Sequence, residues 1–185
     1  MPPNAGHKIP TGWRRVSLGD ICEITAKQVD PRIAEFAALP HVNGTSIESG
    51  TCRLLHLEAA SNAGLISSKY LFDSGDVLYS KLRPYLRKVV VAENRGVCSA
   101  DMYPIRVTRE MVDPRFLAWL LVTDEFTRYA IAESARARMP KLNREQLFAW
   151  ETALPPIDEH GGRRKDALDR TQADLVLLNS TFVWP

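Results

Sequence analysis

Two hydrophobic periods divide this chain. Between residues 69 and 107, apolar residues come in short β-rich runs: Lys69-Tyr70-Leu71-Phe72, Val77-Leu78-Tyr79-Ser80, Lys88 to Ala92, Val97-Cys98-Ser99 and Tyr103 to Val107. Turn chemistry separates them at Asp73-Ser74-Gly75-Asp76 and Asn94-Arg95-Gly96, so each run predicts a strand. Upstream, Leu39 to Ile47 reads as a strand with a turn at Asn43-Gly44, and Glu48-Ser49-Gly50-Thr51 is another turn. The helical period begins elsewhere. Ser17-Leu18-Gly19-Asp20 offers an N-cap with an acid three residues on, predicting a short helix that Asp30-Pro31 ends. Asp113-Pro114 reads as N-cap and first helical residue, and Phe116, Leu117, Leu120, Leu121 and Tyr129 predict one helix from 114 to about 134. Asn143 with Gln146 is a capping box ahead of Leu147, Phe148 and Trp150, and Leu154-Pro155-Pro156 marks a boundary. After Gly161-Gly162, Leu168, Thr171, Leu175, Leu178 and Phe182 recur at alternating spacings of 3 and 4. About two heptads suit either a partner seam or an amphipathic helix packed on its own domain. The pattern predicts an α+β fold: a compact mixed β-sheet domain with packed helices over 1–157, then a short C-terminal helix over 158–185.

Composition narrows the class. At 185 residues, 45% hydrophobic and 25% charged, the chain fits one domain with a sizeable core, and bulk disorder is excluded. The longest apolar run, Phe116 to Val122, is far too short to span a membrane. Residues 1–8 carry no apolar stretch, so a signal peptide is not expected and the cytoplasm is. Cys22, Cys52 and Cys98 are widely spaced and odd in number, which predicts reduced, partly buried thiols and no metal site. His7, His41, His56 and His160 stand alone. The chain has no phosphate-cradling glycine loop, no nucleophile elbow, no His-Glu-x-x-His pair and no Asn-Pro-Pro-Tyr, so an autonomous enzyme is not expected.

The net charge of +2 is nearly neutral, so the distribution of charge matters more than its total. Residues Tyr79 to Lys88 carry Lys81, Arg83, Arg87 and Lys88 without an acid, with Tyr79 and Tyr85 between them and Pro84 stiffening the chain. Four uncompensated cations are costly unless something neutralises them, and phosphate is the expected counter-charge. The two tyrosines either support the loop or touch DNA. A second run, Arg136, Arg138, Lys141 and Arg144, also lacks an acid; its Asn143 either caps a helix or hydrogen-bonds a base.

The segment Ser74-Gly75-Asp76-Val77-Leu78-Tyr79-Ser80-Lys81-Leu82-Arg83-Pro84-Tyr85-Leu86-Arg87-Lys88 resembles the central signature of type I restriction–modification specificity subunits. Gly12-Trp13 and Val16-Ser17-Leu18-Gly19-Asp20 resemble that family's opening, and Val42 to Gly50 its strand and turn. Cys98-Ser99-Ala100-Asp101 resembles the step before its next strand. Met139-Pro140-Lys141-Leu142-Asn143 and Leu154-Pro155-Pro156-Ile157-Asp158-Glu159 resemble the close of a target recognition domain. The likeness runs from about residue 9 to 160. It departs from the family at Glu159-His160, where Glu-Gln is usual, and at Gly161-Gly162.

The resemblance implies a non-catalytic, half-length specificity subunit that reads double-stranded DNA and directs partner chains to a target. Lys81, Arg83, Tyr85, Arg87, Lys88, Arg136, Arg138 and Lys141 become the candidate DNA contacts. Leu168, Leu175, Leu178 and Phe182 become the candidate partner interface. Expected partners are a methyltransferase subunit, possibly a restriction subunit, and a second copy of this chain as homodimer, with no membrane. No cofactor is expected in this chain; S-adenosylmethionine, ATP and magnesium would sit in the partner subunits. The rival is a protein-interaction or inhibitor module that keeps the fold without reading DNA.

Overall fold

The computed structural model describes residues 11–108, 110–135 and 139–160. Eleven short strands in these residues form three sheets. β1 (Arg14–Ser17) and β11 (Glu151–Leu154) pair antiparallel, Arg14 opposite Leu154 and Ser17 opposite Glu151, and so tie the start of the domain to its close. A four-stranded antiparallel sheet has the order β2 (Cys22–Ile24), β10 (Met102–Val107), β7 (Val77–Ser80), β8 (Val89–Val91). A five-stranded mixed sheet has the order β3 (Gln28–Val29), β6 (Lys69–Phe72), β9 (Gly96–Cys98), β4 (Pro40–Val42), β5 (Glu58–Ala59), with β4 parallel to β9.

Strand period two sorts the core into layers. Val77, Tyr79, Val89, Tyr103 and Ile105 turn one face of the four-stranded sheet to the helices, where they join Phe116, Leu117, Phe126 and Trp150. Leu78, Val90 and Met102 turn the other face to Val42, Phe72 and Cys98 of the five-stranded sheet. Phe126 sits edge-on to both Tyr79 (5.7 Å between ring centres) and Trp150 (5.0 Å). Burying three such rings together contributes several kcal/mol, at ~25 cal/mol per Å² of apolar surface.

Local signals explain most element starts. In α1 (Leu18–Ile21), the Asp20 carboxylate accepts the Ser17 N–H at 2.8 Å and its hydroxyl at 2.7 Å. This helix is one turn long, because Cys22 already enters β2. After α2 (Ala34–Ala37), α3 (Pro114–Leu120) is capped by Asp113, which accepts from the amides of Arg115 and Phe116. The single helix expected over 114–134 is two. Thr123 accepts the Phe126 amide and starts α4 (Asp124–Ser134), with acids in its first turn. Hydrophobic spacing carried through the break, so the cap decided the boundary. The strand expected over Leu39–Ile47 ends at Val42; Asn43 then accepts from Thr45 and Ser46 and caps a 3₁₀ turn, Gly44–Ser46. Asn143 caps α5 (Arg144–Phe148) in a reciprocal box with Gln146, at 2.8 and 2.9 Å.

Packed structure continues past residue 157, and most of the helix expected over 158–185 lies outside the described residues. His160 is 1% exposed, stacks on Phe116 at 4.3 Å and accepts the Asp113 amide. The seam residues Leu168, Thr171, Leu175, Leu178 and Phe182 lie outside the described residues, as do Arg136 and Arg138. No helix among the described residues is long and apolar enough to cross a membrane.

Candidate nucleic-acid interface

Strand direction sorts the loops to two ends. β7 ends at Ser80 opposite Met102, where β10 begins, and β9 and β4 end side by side at Cys98 and Val42. Residues 43–47, 81–88 and 99–101 therefore gather at one end. The turn 73–76, the turn 93–95 and residues 108 and 110–113 gather at the other, with the acids Asp73, Asp76, Glu93, Glu110 and Asp113. There the guanidinium of Arg106 donates to buried Asp76 (3.0 Å) and to Asp73 (2.8 Å), and Arg95 lies 3.8 Å from Asp73.

At the first end the two basic runs become one surface. Leu82 and Lys141 form an isolated antiparallel bridge; the Leu142 amide donates to Lys81 O (3.0 Å) and the Arg83 amide to Pro140 O (2.9 Å). The sequence separates these runs by about fifty residues, and only tertiary pairing joins them. Arg83, Tyr85, Lys141 and Arg144 are exposed there. Arg144 stands in the second run but outside the candidate set; its charge acts on both Lys81 and Tyr103.

The picture of four solvent-facing cations in 81–88 is corrected by the structure. Lys81 is 7% exposed; its ammonium donates to Ala100 O and stands 4.8 Å from the centre of the Tyr103 ring. Burial, helped by Lys141 and Arg144, lowers its pKa from the ordinary lysine value. Lys88 donates to Ile47 O. Arg87 reaches Asp124 at 2.6 Å and Val122 O at 3.5 Å, holding the loop against α4. Backbone carbonyls accept from the two ammonium groups and one distant acid pairs with Arg87, compensation that local sequence does not reveal. Tyr79 is 1% exposed and burial raises its phenol pKa, so it supports the loop, whereas Tyr85 is 53% exposed. Asn143 caps α5, so its side-chain oxygen is occupied within the domain.

The loop itself is fixed. Pro84–Leu86 forms a 3₁₀ turn between two left-handed arginines, Arg83 (φ 51°, ψ 66°) and Arg87 (φ 47°, ψ 46°). The Gly50 amide donates to Arg87 O (3.1 Å) and the Ser49 hydroxyl to Leu86 O (2.5 Å). Among the described residues no group of three or more His, Cys, Asp or Glu side chains could hold a metal ion. The result is a rigid, cationic platform with one exposed aromatic ring.

No protein-family model matches the chain. It is 33% identical over 151 residues to the type I restriction enzyme EcoDI specificity subunit of Escherichia coli, covering 82% of this chain and 33% of that relative. The chain belongs to the type I specificity-subunit family. The HindI specificity subunit of Haemophilus influenzae is 29% identical over 152 residues, with 77% of this chain and 32% of the relative covered. This specificity-subunit chain thus spans about a third of the length of the curated relatives it matches. Among solved structures, a chain from work on complex assembly and conformational transition of the type I R-M system superposes with a TM-score of 0.78 at 25% identity. That match covers 95% of this chain and 46% of the other. The HsdS subunit from Thermoanaerobacter tengcongensis gives a TM-score of 0.76 at 24% identity with the same coverages, and that likeness concerns the fold. The α+β, mixed-sheet architecture expected from the sequence is that of these structures.

Proposed function

We propose that the domain reads a DNA sequence on behalf of a type I restriction–modification complex, and does so with the end of the molecule that carries Arg83, Tyr85, Lys141 and Arg144. The joint between residues 81–83 and 140–142 carries this reading: it builds one cationic platform from two distant runs, while Asp73, Asp76, Glu93, Glu110 and Asp113 lie at the opposite end. Arginine suits bidentate contact with phosphate or guanine, and phosphate contacts set the register in which base edges are read. Lys81, Arg87 and Lys88 serve this surface by holding its shape. Arg136 and Arg138 extend the second run and remain candidate contacts.

The chain is non-catalytic in this reading. Methyl transfer and cleavage, with S-adenosylmethionine, ATP and magnesium, belong to methyltransferase and restriction subunits in the cytoplasm. One domain reads one half-site, so the simplest complete reader is two copies about a two-fold axis recognising a gapped palindrome. The Leu168, Leu175, Leu178 and Phe182 seam is the proposed partner face.

Selection from a randomised duplex pool tests the reading. The purified 185-residue chain, alone or with its methyltransferase subunit, is expected to enrich one defined sequence. Enrichment of none, under conditions where the protein is folded, would favour the interaction-module rival.

A further inference from the structure

Arg83 is the one arginine of the central loop whose backbone strain is not matched by a contact within the fold. Its φ of 51° lies in the left-handed region, which a side chain with a Cβ rarely adopts. Arg87 shares that strain, but its guanidinium closes on Asp124 and Val122 O. Among the described residues the Arg83 side chain has no ion pair or hydrogen bond and stands exposed. Its backbone is nonetheless held from every side. The Arg83 amide donates to Pro140 O (2.9 Å), its carbonyl accepts the Leu86 amide (2.9 Å), and neighbouring Leu82 bridges Lys141. Pro84, buried, follows it directly. A guanidinium carried on a strained, hydrogen-bonded backbone and unengaged among the described residues is available to something outside the chain.

We infer that Arg83 is the backbone anchor of the DNA interface: its guanidinium takes two oxygens of one phosphate, and the flanking Lys141 and Arg144 add point charges to neighbouring phosphates. The inference deepens the DNA-reading proposal and depends on it. A bidentate fork needs a fixed origin, which the strained mount supplies, whereas the flexible ammonium of Lys141 does not. A phosphate anchor of this kind fixes where the domain sits on the duplex without itself selecting the base.

The test is equilibrium binding of the 185-residue chain to a mixed-sequence duplex and to a duplex from the selected pool, across a salt series. Each phosphate contact contributes about 0.9 to the slope of log affinity against log salt, or about 3.5-fold in affinity between about 50 and about 200 mM salt. Arg83→Ala should flatten the slope by that amount on both duplexes alike. Arg83→Lys should keep the slope but bind several-fold more weakly, because it keeps the charge and loses the fork. Arg83→Gly, which suits the left-handed backbone, should bind like the alanine variant while melting no lower than wild type. That result separates lost contact from lost structure. An unchanged slope in Arg83→Ala overturns the inference. So does a relaxed preference at one guanine with affinity for mixed sequence retained, which would make Arg83 a base reader. If wild-type protein binds no duplex at all, the DNA-reading proposal fails and takes this inference with it.

Discussion

Lys81 and Lys141 sit on either side of the joint between the two basic runs, Lys81 buried and Lys141 exposed, and the proposed function gives them opposite duties. Replacing Lys81 with Met keeps most of the aliphatic stem and removes the charge. It deletes a charge-assisted hydrogen bond to Ala100 O, worth ~1.5–3 kcal/mol. It also deletes the cation–π contact with Tyr103, worth ~0.5–2 kcal/mol. Against that loss stands the relief of burying an ammonium beside Lys141 and Arg144, the same influences that lower its pKa. The net effect is a destabilisation of about 1–2 kcal/mol, or roughly 2–8 °C in Tm for a chain of this size. Exposed Lys141, replaced by Ala, should change stability by no more than about 0.5 kcal/mol. DNA binding should respond the other way round. Lys141→Ala should flatten the salt slope by about 0.9, and Lys81→Met should leave it unchanged once the protein is shown to be folded. Thermal melts and fluorescence anisotropy on the two purified variants give all four numbers. A Lys81→Met variant that melts like wild type but flattens the slope would refute the internal role of Lys81.

Three further outcomes follow from named contacts. A Cβ placed on Gly96 would lie 2.4 Å from Phe72 Cζ and 2.7 Å from Pro40 O, so Gly96→Ala should lower stability by ~1–3 kcal/mol in urea unfolding, and an unchanged midpoint would contradict the close approach of β4 and β6 about β9. The Arg32 guanidinium, through hydrogen bonds to both oxygens, pulls the Asp30 carboxyl down to about 2. Its contribution to stability is therefore complete above the ordinary carboxylate value and lost as pH falls through about 2, and an NMR titration midpoint for Asp30 near 4 would show the pair absent. Burial pushes the thiols of Cys22 and Cys98 up to about 12 and that of Cys52 to about 11, so all three should react slowly with a thiol reagent at neutral pH and fully in denaturant; rapid labelling of the native chain would contradict this packing.

Short-range chemistry was legible in the sequence, and long-range pairing was not. Ser17 with Asp20, Asp113 with Pro114, and Asn143 with Gln146 announced three helix starts because each cap is satisfied within a few residues. The strands at 69–72, 77–80 and 103–107 were legible from β-rich runs set between turn residues. Thr123 was missed as a cap because Leu117, Leu121 and Tyr129 keep helical spacing across it. The parallel pairing of β4 with β9 and the Leu82–Lys141 bridge join residues with no local mark of partnership. The two basic runs were legible as charge patterns, yet which of their side chains face outward was not. Whether Lys81 meets a phosphate or the Ala100 carbonyl depends on a turn twenty residues away, and whether Arg87 is free depends on Asp124.

The central claim is that DNA meets the end of the domain built by residues 81–88 and 140–144. Amide chemical-shift mapping of the isotopically labelled chain, titrated with a duplex from the selected pool, tests it most directly. The account predicts that the largest shifts fall at Arg83, Tyr85, Lys141 and Arg144 and in the adjoining 43–47 and 99–101 loops, with Asp73 to Asp76, Glu93 to Arg95 and Glu110 to Asp113 undisturbed. Shifts concentrated at that acidic end, with the Arg83 and Lys141 amides unmoved at saturation, would contradict it.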